Sequence, residues 1–596
     1  MTDLQDDSKF ARRAWLRALE RTASIERDPV PLPVLIERLA EQRGEAQALV
    51  SRAGTLSWNA FAARCRRYTR FAQGLGPHET VALVMGNCTE YLCVWLGFSR
   101  AGVPTALINP QLEGDALRHS LDLVGPKRIL TDAARAPALE SLRRSLACAP
   151  EVWVSGAGRL DERSGARSLE AVLERLSDAP LTAAEERVVP LDATALYIYT
   201  SGTTGLPKAA RVSHHRVLQW SQWFAGLLDT GPDDRMYDCL PLYHSVGGVV
   251  ATGATLLGGG AVVLSERFSA SEFWPEVVRE RCTLFQYIGE LCRYLVNAPP
   301  HPLERAHTLR IACGNGLRAD VWERFRERFH IPRILEYYAS TEGNFSLYNC
   351  EGEPGAIGRI PAFLAARVPV ALVRFDVERG EPMRNASGFC ERCDTDEVGE
   401  ALGQISPDGR VGRFEGYADA EASERKVLKD VFETGDRWYR TGDLMRRDAR
   451  GFFHFVDRIG DTFRWKGENV STAEVAEALA ACPGVREAVV YGVLVPAMDG
   501  RAGMAALVVD AQFDLERFRA DMAARLPAYA RPVFLRLLSG IAATGTFKPR
   551  TQELAQAGFD PQRVADPLYL QEARTGAYVP LDATRHGEIL AGRLRL

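Results

Sequence analysis

A chain of 596 residues is several times longer than one hydrophobic core requires, so two to four domains or subdomains are expected. Its apolar fraction of 46% and charged fraction of 25% are those of a soluble globular protein. Lys+Arg number 73 against 77 Asp+Glu, a net charge of −4, which lacks the basic excess that nucleic-acid binding calls for but leaves room for a local patch that holds phosphates.

Taken in chain order, Met1 to Pro29 is charged and has no apolar stretch, so it reads as neither a signal peptide nor a membrane span. Thr80 to Met85 predicts a strand, Cys88 to Arg100 an apolar helix, Pro104 to Ile108 a strand and Asp115 to Val124 a helix. Lys127 to Thr131 and Val152 to Val154 continue the alternation, which is that of an α/β fold with mostly parallel sheets. Ser155 to Pro190 is polar and irregular. Val246 to Leu264 is the longest apolar run, but its six glycines favour a buried helix followed by a strand over a membrane span.

The character changes near residue 458. Asn469 to Leu479 predicts a helix, Val485 to Val495 and Gly503 to Val509 strands, and Phe513 to Leu526 a helix before a loop rich in Gly and Thr. The expected architecture is therefore a large α/β domain over residues 1–457 and a small α+β domain over 458–596. The 12 cysteines are scattered, as reduced thiols of a cytosolic protein are. The one close pair, Cys390 and Cys393, has no second Cys/His pair nearby and reads as structural, not zinc-binding.

The segment Tyr197 to Lys208 (YIYTSGTTGLPK) carries the strongest chemical signal. A strand of aromatic and β-branched residues runs into a loop of glycines and hydroxyls that ends in a lysine. Gly202 and Gly205 let backbone N–H groups converge on an anion. Thr200, Ser201, Thr203 and Thr204 offer hydroxyls to phosphate oxygens, and Lys208 a point charge. It is not a Walker loop, because Pro207 stands where the second glycine is required.

This segment resembles the signature loop of the adenylate-forming superfamily, which comprises acyl-CoA synthetases, adenylation domains and luciferases. Further segments agree with the resemblance in order. Pro241 to His244 (PLYH) resembles the motif that lines the carboxylate site, which implies a substrate-positioning His244. Cys313 to Leu317 (CGNGL) resembles the turn that backs adenine, with Gly314, Asn315 and Gly316. Tyr338 to Glu342 (YASTE) resembles the adenylate motif. It implies Tyr338 stacked on adenine, Thr341 on the α-phosphate or acyl oxygen, and Glu342 on Mg²⁺ together with Thr203. Ala339 stands where relatives usually have glycine. Tyr439 to Asp443 (YRTGD) resembles the ribose motif, with Asp443 as acceptor. Asp457 to Val470 resembles the interdomain hinge. That implies Arg458 on ribose or phosphate, a pivot at Gly460, and Arg464, Lys466 and Gly467 turned towards CoA. Ala543 to Lys548 (ATGTFK) resembles the C-terminal lysine motif and implies Lys548 as the catalyst of adenylation.

Five segments, TEGN at 341–344, GDTFRWKGENVST at 460–472, TGTFK at 544–548, GFDP at 558–561 and DPLY at 566–569, are similar to the fatty acid transport protein and very-long-chain acyl-CoA synthetase branch. The resemblance implies a two-step enzyme that uses ATP, Mg²⁺ and coenzyme A to make a fatty acyl-CoA through acyl-AMP. Its rivals are a ligase for another carboxylate (a bile acid or a carnitine-like acid), an enzyme that hands its adenylate to a carrier protein, and a fatty-acid uptake protein with vestigial activity. A cytoplasmic place is implied, with peripheral contact at the inner face of the membrane left open.

Overall fold

The computed structural model describes residues 2–76, 78–156, 165–200, 207–365, 367–406, 412–466, 468–496, 498, 500–544, 549–594 and 596, the side chains of residues 2–7 excepted. Its backbone falls into two compact units. One holds residues 1–317, 324–353 and 413–426, and the other 318–323, 354–412 and 427–596.

The first unit contains two sheets. In one, the strands run in the order Arg167–Ser168, Glu151–Ser155, Arg128–Asp132, Val81–Val84, Thr105–Leu107, Thr194–Thr200, Lys208–Ser213. All pair in parallel except the last two, which form an antiparallel hairpin. In the other the order is Ser346–Asn349, Ile334–Ala339, Ile311–Asn315, Leu284–Ile288, Arg235–Asp238, Ala261–Leu264, Gln47–Ser51, Gly54–Ser57, parallel in the middle and antiparallel at both ends. The middle strands are short apolar runs such as Ala261-Val262-Val263-Leu264, buried throughout, as parallel strands covered on both faces are. Helix Thr89–Arg100 is buried at every position from Tyr91 to Arg100. A Cβ on Gly97 would lie 2.4 Å from Tyr68 Cβ, so the glycine sets how closely helix Trp58–Ala72 packs against it. The strands and helices expected between residues 80 and 154 all form, within two residues of the predicted ends.

Two regions show detail that the sequence did not give, and one differs from expectation. The charged N-terminus is a long helix, Thr2–Arg27, which packs on helix His214–Leu228. Its buried stripe is Ala11, Ala14, Trp15, Ala18 and Ile25, mostly alanine, and alanine gives little hydropathy signal. Trp15 meets Trp223 and Tyr348 edge-on at 5.7 and 5.6 Å. The apolar run from Val246 opens as a π-helix, Val246–Ala251, before α-helix Thr252–Leu257 and strand Ala261–Leu264. There a Cβ on Gly248 would lie 2.0 Å from Leu242 O, so only glycine lets the wide turn sit on the preceding loop. Among the described residues no helix is long and apolar enough to cross a membrane. The helix expected from Asn469 begins at Thr472, where the Ser471 hydroxyl accepts from Glu474 N. Glu468–Val470 instead pairs with Phe463–Trp465 as a hairpin.

The second unit has an antiparallel sheet in the order Glu381–Pro382, Val370–Asp376, Gly399–Gln404, Arg437–Arg447, Phe452–Arg458, Gly358–Arg359, with Val427–Lys429 also paired to Arg437–Arg447. It has a separate five-stranded sheet in the order Val485–Val493, Ala502–Val509, Phe534–Leu538, Leu568–Gln571, Tyr578–Pro580. The hydrophobic cluster around the five-stranded sheet draws only on residues from Phe463 onward. Cys390 is buried in the other cluster with Ala371, Val373, Leu402, Val431 and Trp438. Among the described residues, no three His, Cys, Asp or Glu side chains gather as a metal site.

The contact between helices Thr2–Arg27 and His214–Leu228 is testable at Gly226, where a Cβ would lie 2.4 Å from Ala18 Cα. Gly226→Val should cost about 1–3 kcal/mol by overpacking. We expect a lower denaturation midpoint and faster proteolysis within residues 2–27 than in wild type.

Candidate active site

The motif segments of the first unit leave the carboxyl ends of its parallel strands. Thr200 ends strand Thr194–Thr200, and Gly314 and Asn315 end strand Ile311–Asn315. Tyr338 and Ala339 end strand Ile334–Ala339, and His244 follows strand Arg235–Asp238. Open α/β sheets bind ligands at that edge.

Thr200 and Lys208 face each other as a register pair, so the two ends of the signature segment are paired. The Lys208 ammonium lies 5.7 Å from the centre of the Tyr417 ring. Tyr417 comes from a segment that adds to the hairpin, with Arg211 N donating to Gly416 O at 3.0 Å and Ala418 N to Ala209 O at 2.8 Å. Its hydroxyl donates to Glu342 Oε1 at 2.7 Å. The root of the loop, Tyr417 and Glu342 thus form one contiguous group. Glu342 is buried.

Thr341 is buried beside Glu342, and its Oγ1 lies 3.3 Å from Ser245 Oγ. Ser245 follows His244, so the two motifs meet at these hydroxyls. His244 is half-buried; its carbonyl accepts from Gly248 N at 2.8 Å, which ties it to the π-helix. Behind them lies the buried Arg216. It donates to Thr341 O and Gly343 O, each at 2.9 Å, and to Arg413 O at 2.6 Å. Its guanidinium is 3.6 Å from Glu415, whose carboxylate accepts from Ser213 N and Oγ.

In the turn after strand Ile311–Asn315, Gly316 has φ +79°. A Cβ on Gly314 would lie 2.2 Å from Tyr287 O, so the backbone there approaches its neighbour too closely for a side chain. Tyr338 is half-buried and packs edge-on to Phe345 at 5.6 Å, while Ala339 is exposed.

In the second unit Asp443 and Arg458 are register partners on adjacent strands, and Arg458 Nε donates to Asp443 Oδ1 at 3.2 Å. On the same strand as Asp443, Arg440 binds the fully buried Glu400 through Nε and Nη2, at 2.7 Å at its closest. Gly460 has φ +97°, with nothing within 4 Å of where a Cβ would be, so backbone conformation and not space selects glycine. Asp457, just before it, is buried and accepts from Arg458 N, Thr462 Oγ1, Thr472 N and Thr472 Oγ1 at 2.7–3.2 Å. Burial pushes its carboxyl above the ordinary value, against the pull of those bonds. Arg464 pairs with Glu378 at 2.5 Å, and both are exposed. Lys466 has φ +52°, and its ammonium lies 5.6 Å from the Trp465 ring centre.

Ser201, Gly202, Thr203, Thr204, Gly205, Gly467 and Lys548 lie outside the described residues. Sequence reasoning missed Tyr417, Arg216, Ser245 and Glu415. Gly416-Tyr417 carries only a turn signal, and Arg216 looks like one more charge on a helix.

Tyr417→Phe removes the hydrogen bond to the Glu342 carboxylate and keeps the ring. A bond to a charged group contributes about 1.5–3 kcal/mol. We expect kcat/KM for ATP to fall by roughly tenfold to a hundredfold, with the denaturation midpoint close to wild type, as measured by pyrophosphate release.

Two family models match the chain: AMP-binding enzyme over residues 36–388 and AMP-binding enzyme C-terminal domain over residues 474–548. Human long-chain fatty acid transport protein 3 is 43% identical over 530 residues, which cover 88% of this chain and 76% of the relative. Mouse long-chain fatty acid transport protein 1 is 38% identical over 573 residues, or 95% and 88% of the two chains. The medium/long-chain-fatty-acid–CoA ligase FadD6 of Mycobacterium tuberculosis is 38% identical over 526 residues, or 88% and 84%. Among solved structures, the anthranilate CoA ligase AuaEII with anthranoyl-AMP superposes with a TM-score of 0.76 at 20% identity, over 89% of this chain and 97% of that one. ATP-bound MatB from Rhodopseudomonas palustris superposes at 0.72 and 23% identity, over 88% and 99%.

Proposed function

The chain belongs to the AMP-binding enzyme family, in the branch of the long-chain fatty acid transport proteins, and from that premise we propose that it ligates long- or very-long-chain fatty acids to coenzyme A. It is an ATP-dependent, AMP-forming acyl-CoA ligase. The observation that supports the reading most is the junction of the Thr200–Lys208 hairpin, Tyr417 and Glu342 at the carboxyl edge of the strands.

In the first step a carboxylate oxygen of the fatty acid attacks the α-phosphorus of ATP, the bond to the bridging oxygen breaks, and pyrophosphate leaves. The Thr200–Lys208 loop, with Ser201, Thr203 and Thr204, holds the phosphates through backbone N–H groups, hydroxyls and the Lys208 charge. Thr341 and His244 orient the carboxylate. Lys548, by the motif it belongs to, would supply the charge that stabilises the transition state between carboxylate and α-phosphate. The nucleotide is held by Tyr338 and the Gly314–Gly316 turn, and by Asp443 and Arg458 at the ribose.

A single carboxylate, Glu342, fits magnesium, which takes one or two protein carboxylates and fills its shell with substrate phosphates and water. When bound there with Thr203, the ion supplies charge neutralisation at the phosphates. In the second step the CoA thiol loses its proton and attacks the acyl carbon, and AMP leaves. Rotation of residues 458–596 about Gly460 withdraws Lys548 and brings Arg464, Lys466 and Gly467 to CoA. None of the twelve cysteines forms a disulfide, which supports a cytoplasmic place. Acids of this length partition into bilayers, so the enzyme collects them at the inner face of the membrane.

An AMP-release assay with palmitate tests the activity: release should require both ATP and CoA and stop when CoA is omitted. CoA-independent turnover, or palmitate binding without AMP, would overturn the ligase reading. Lys548→Ala should lower adenylation by more than a hundredfold and leave thioester formation from added palmitoyl-AMP within about threefold of wild type; equal loss of both steps removes its role.

A further inference from the structure

Glu336 lies against the Gly314–Leu317 turn, and the reaction makes no direct use of it. It lies on strand Ile334–Ala339 and is 1% exposed. Its Oε1 accepts from the backbone N–H of Gly316 and, at 3.2 Å, of Leu317, and its Oε2 accepts from Tyr287 Oη at 2.6 Å. No cation pairs with it among the described residues. The titratable groups that face it are Tyr287, Cys292, Cys313 and Tyr337, whose phenols and thiols burial pushes up, so all four are neutral near pH 7.

A carboxylate buried without a cation is expensive unless its oxygens are filled by donors. Here two of the three donors are consecutive N–H groups of one turn. That turn has no freedom on its other side, because a Cβ on Gly289 would lie 1.8 Å from Gly316 O. The backbone from Gly314 to Leu317 is thus clamped between the helix that begins at Gly289 and the Glu336 carboxylate.

We propose that Glu336 is a positioning residue for ATP, which acts through the Gly314–Leu317 backbone to set the shape of the adenine pocket. This rests on the reading that the turn backs adenine. Burial pushes the Glu336 carboxyl up to about 8, with its three hydrogen bonds opposing the shift. Near neutral pH the neutral form dominates, in which Oε1 still accepts from both N–H groups and the acid proton on Oε2 bonds the Tyr287 oxygen. Glutamine reproduces that pattern with its carbonyl and amide.

The test is steady-state kinetics of the full chain with ATP and palmitate. Glu336→Leu should raise KM for ATP about tenfold, the scale of losing two hydrogen bonds, with KM for palmitate within about twofold. Glu336→Gln should restore KM for ATP. Equal shifts in both KM values, or a glutamine variant as impaired as the leucine one, would overturn the role. Should Glu336→Leu not fold, Tyr287→Phe serves: it frees one oxygen and should raise KM for ATP about threefold and leave that for palmitate, and no rise overturns the role. Gly316→Ala, strained at its φ of +79°, separates the two ideas. If it shifts KM for ATP while Glu336→Leu does not, only the role of Glu336 falls. If it shifts nothing, the adenine reading of the turn falls with it.

Discussion

The guanidinium of Arg216 holds the functional loops of the first unit in place. Loops at a strand edge have carbonyls that no sheet partner can reach, and each one buried without a donor costs about 1–3 kcal/mol. Arg216 meets that demand for Thr341, Gly343 and Arg413 at once. Its own charge is balanced by Glu415, which in turn caps the helix that carries Arg216 through Ser213. The closed circuit fixes Glu342 and Tyr417, residues 75 positions apart in sequence, at hydrogen-bond distance. Lysine could not do the same, because a single ammonium lacks the planar spread of donors that reaches three carbonyls.

Much of this was legible in the sequence. The signature loop, the YASTE segment and the PLYH segment are local patterns, and each stands at a strand end as its apolar run and breakers predict. The partners that hold them were not legible. Arg216 lies in helix His214–Leu228, where an arginine reads as a solvated charge, and only the tertiary fold buries it. The N-terminal helix was missed because alanine marks its buried stripe, and alanine is nearly silent in a hydropathy pattern. The π-helix at Val246 was missed because periodicity distinguishes helix from strand but not one helical pitch from another. At residue 469 the helix pattern extended too far, since three residues of apolar and polar alternation fit a strand equally well.

The hinge segment shows the same division between a legible motif and a hidden support. The resemblance implied a pivot at Gly460, and the glycine has a φ of +97°, which side chains rarely adopt. What holds the chain on either side of it is Asp457, whose carboxylate gathers Thr462 and Thr472 across fifteen residues of sequence. The bonds of Asp457 hold the chain before Gly460, and nothing lies within 4 Å of where a Cβ on the glycine would be.

Arg216, Asp457 and Glu336 share a design. Each is a buried charge or buried acid that binds backbone groups of a loop: carbonyls for Arg216, N–H groups for Glu336, and for Asp457 two N–H groups beside two threonine hydroxyls. A backbone partner leaves the side chains of the loop uncommitted, so they can face the ligand. It also fixes the loop by its shape and not by its sequence. Substitutions on a loop of this kind can change what it binds without undoing its position. Substitutions at the buried anchor do the reverse, because they release several backbone groups together while every residue that touches ligand stays the same. The fold can therefore hold the strand-edge loops rigidly and still vary the side chains along them.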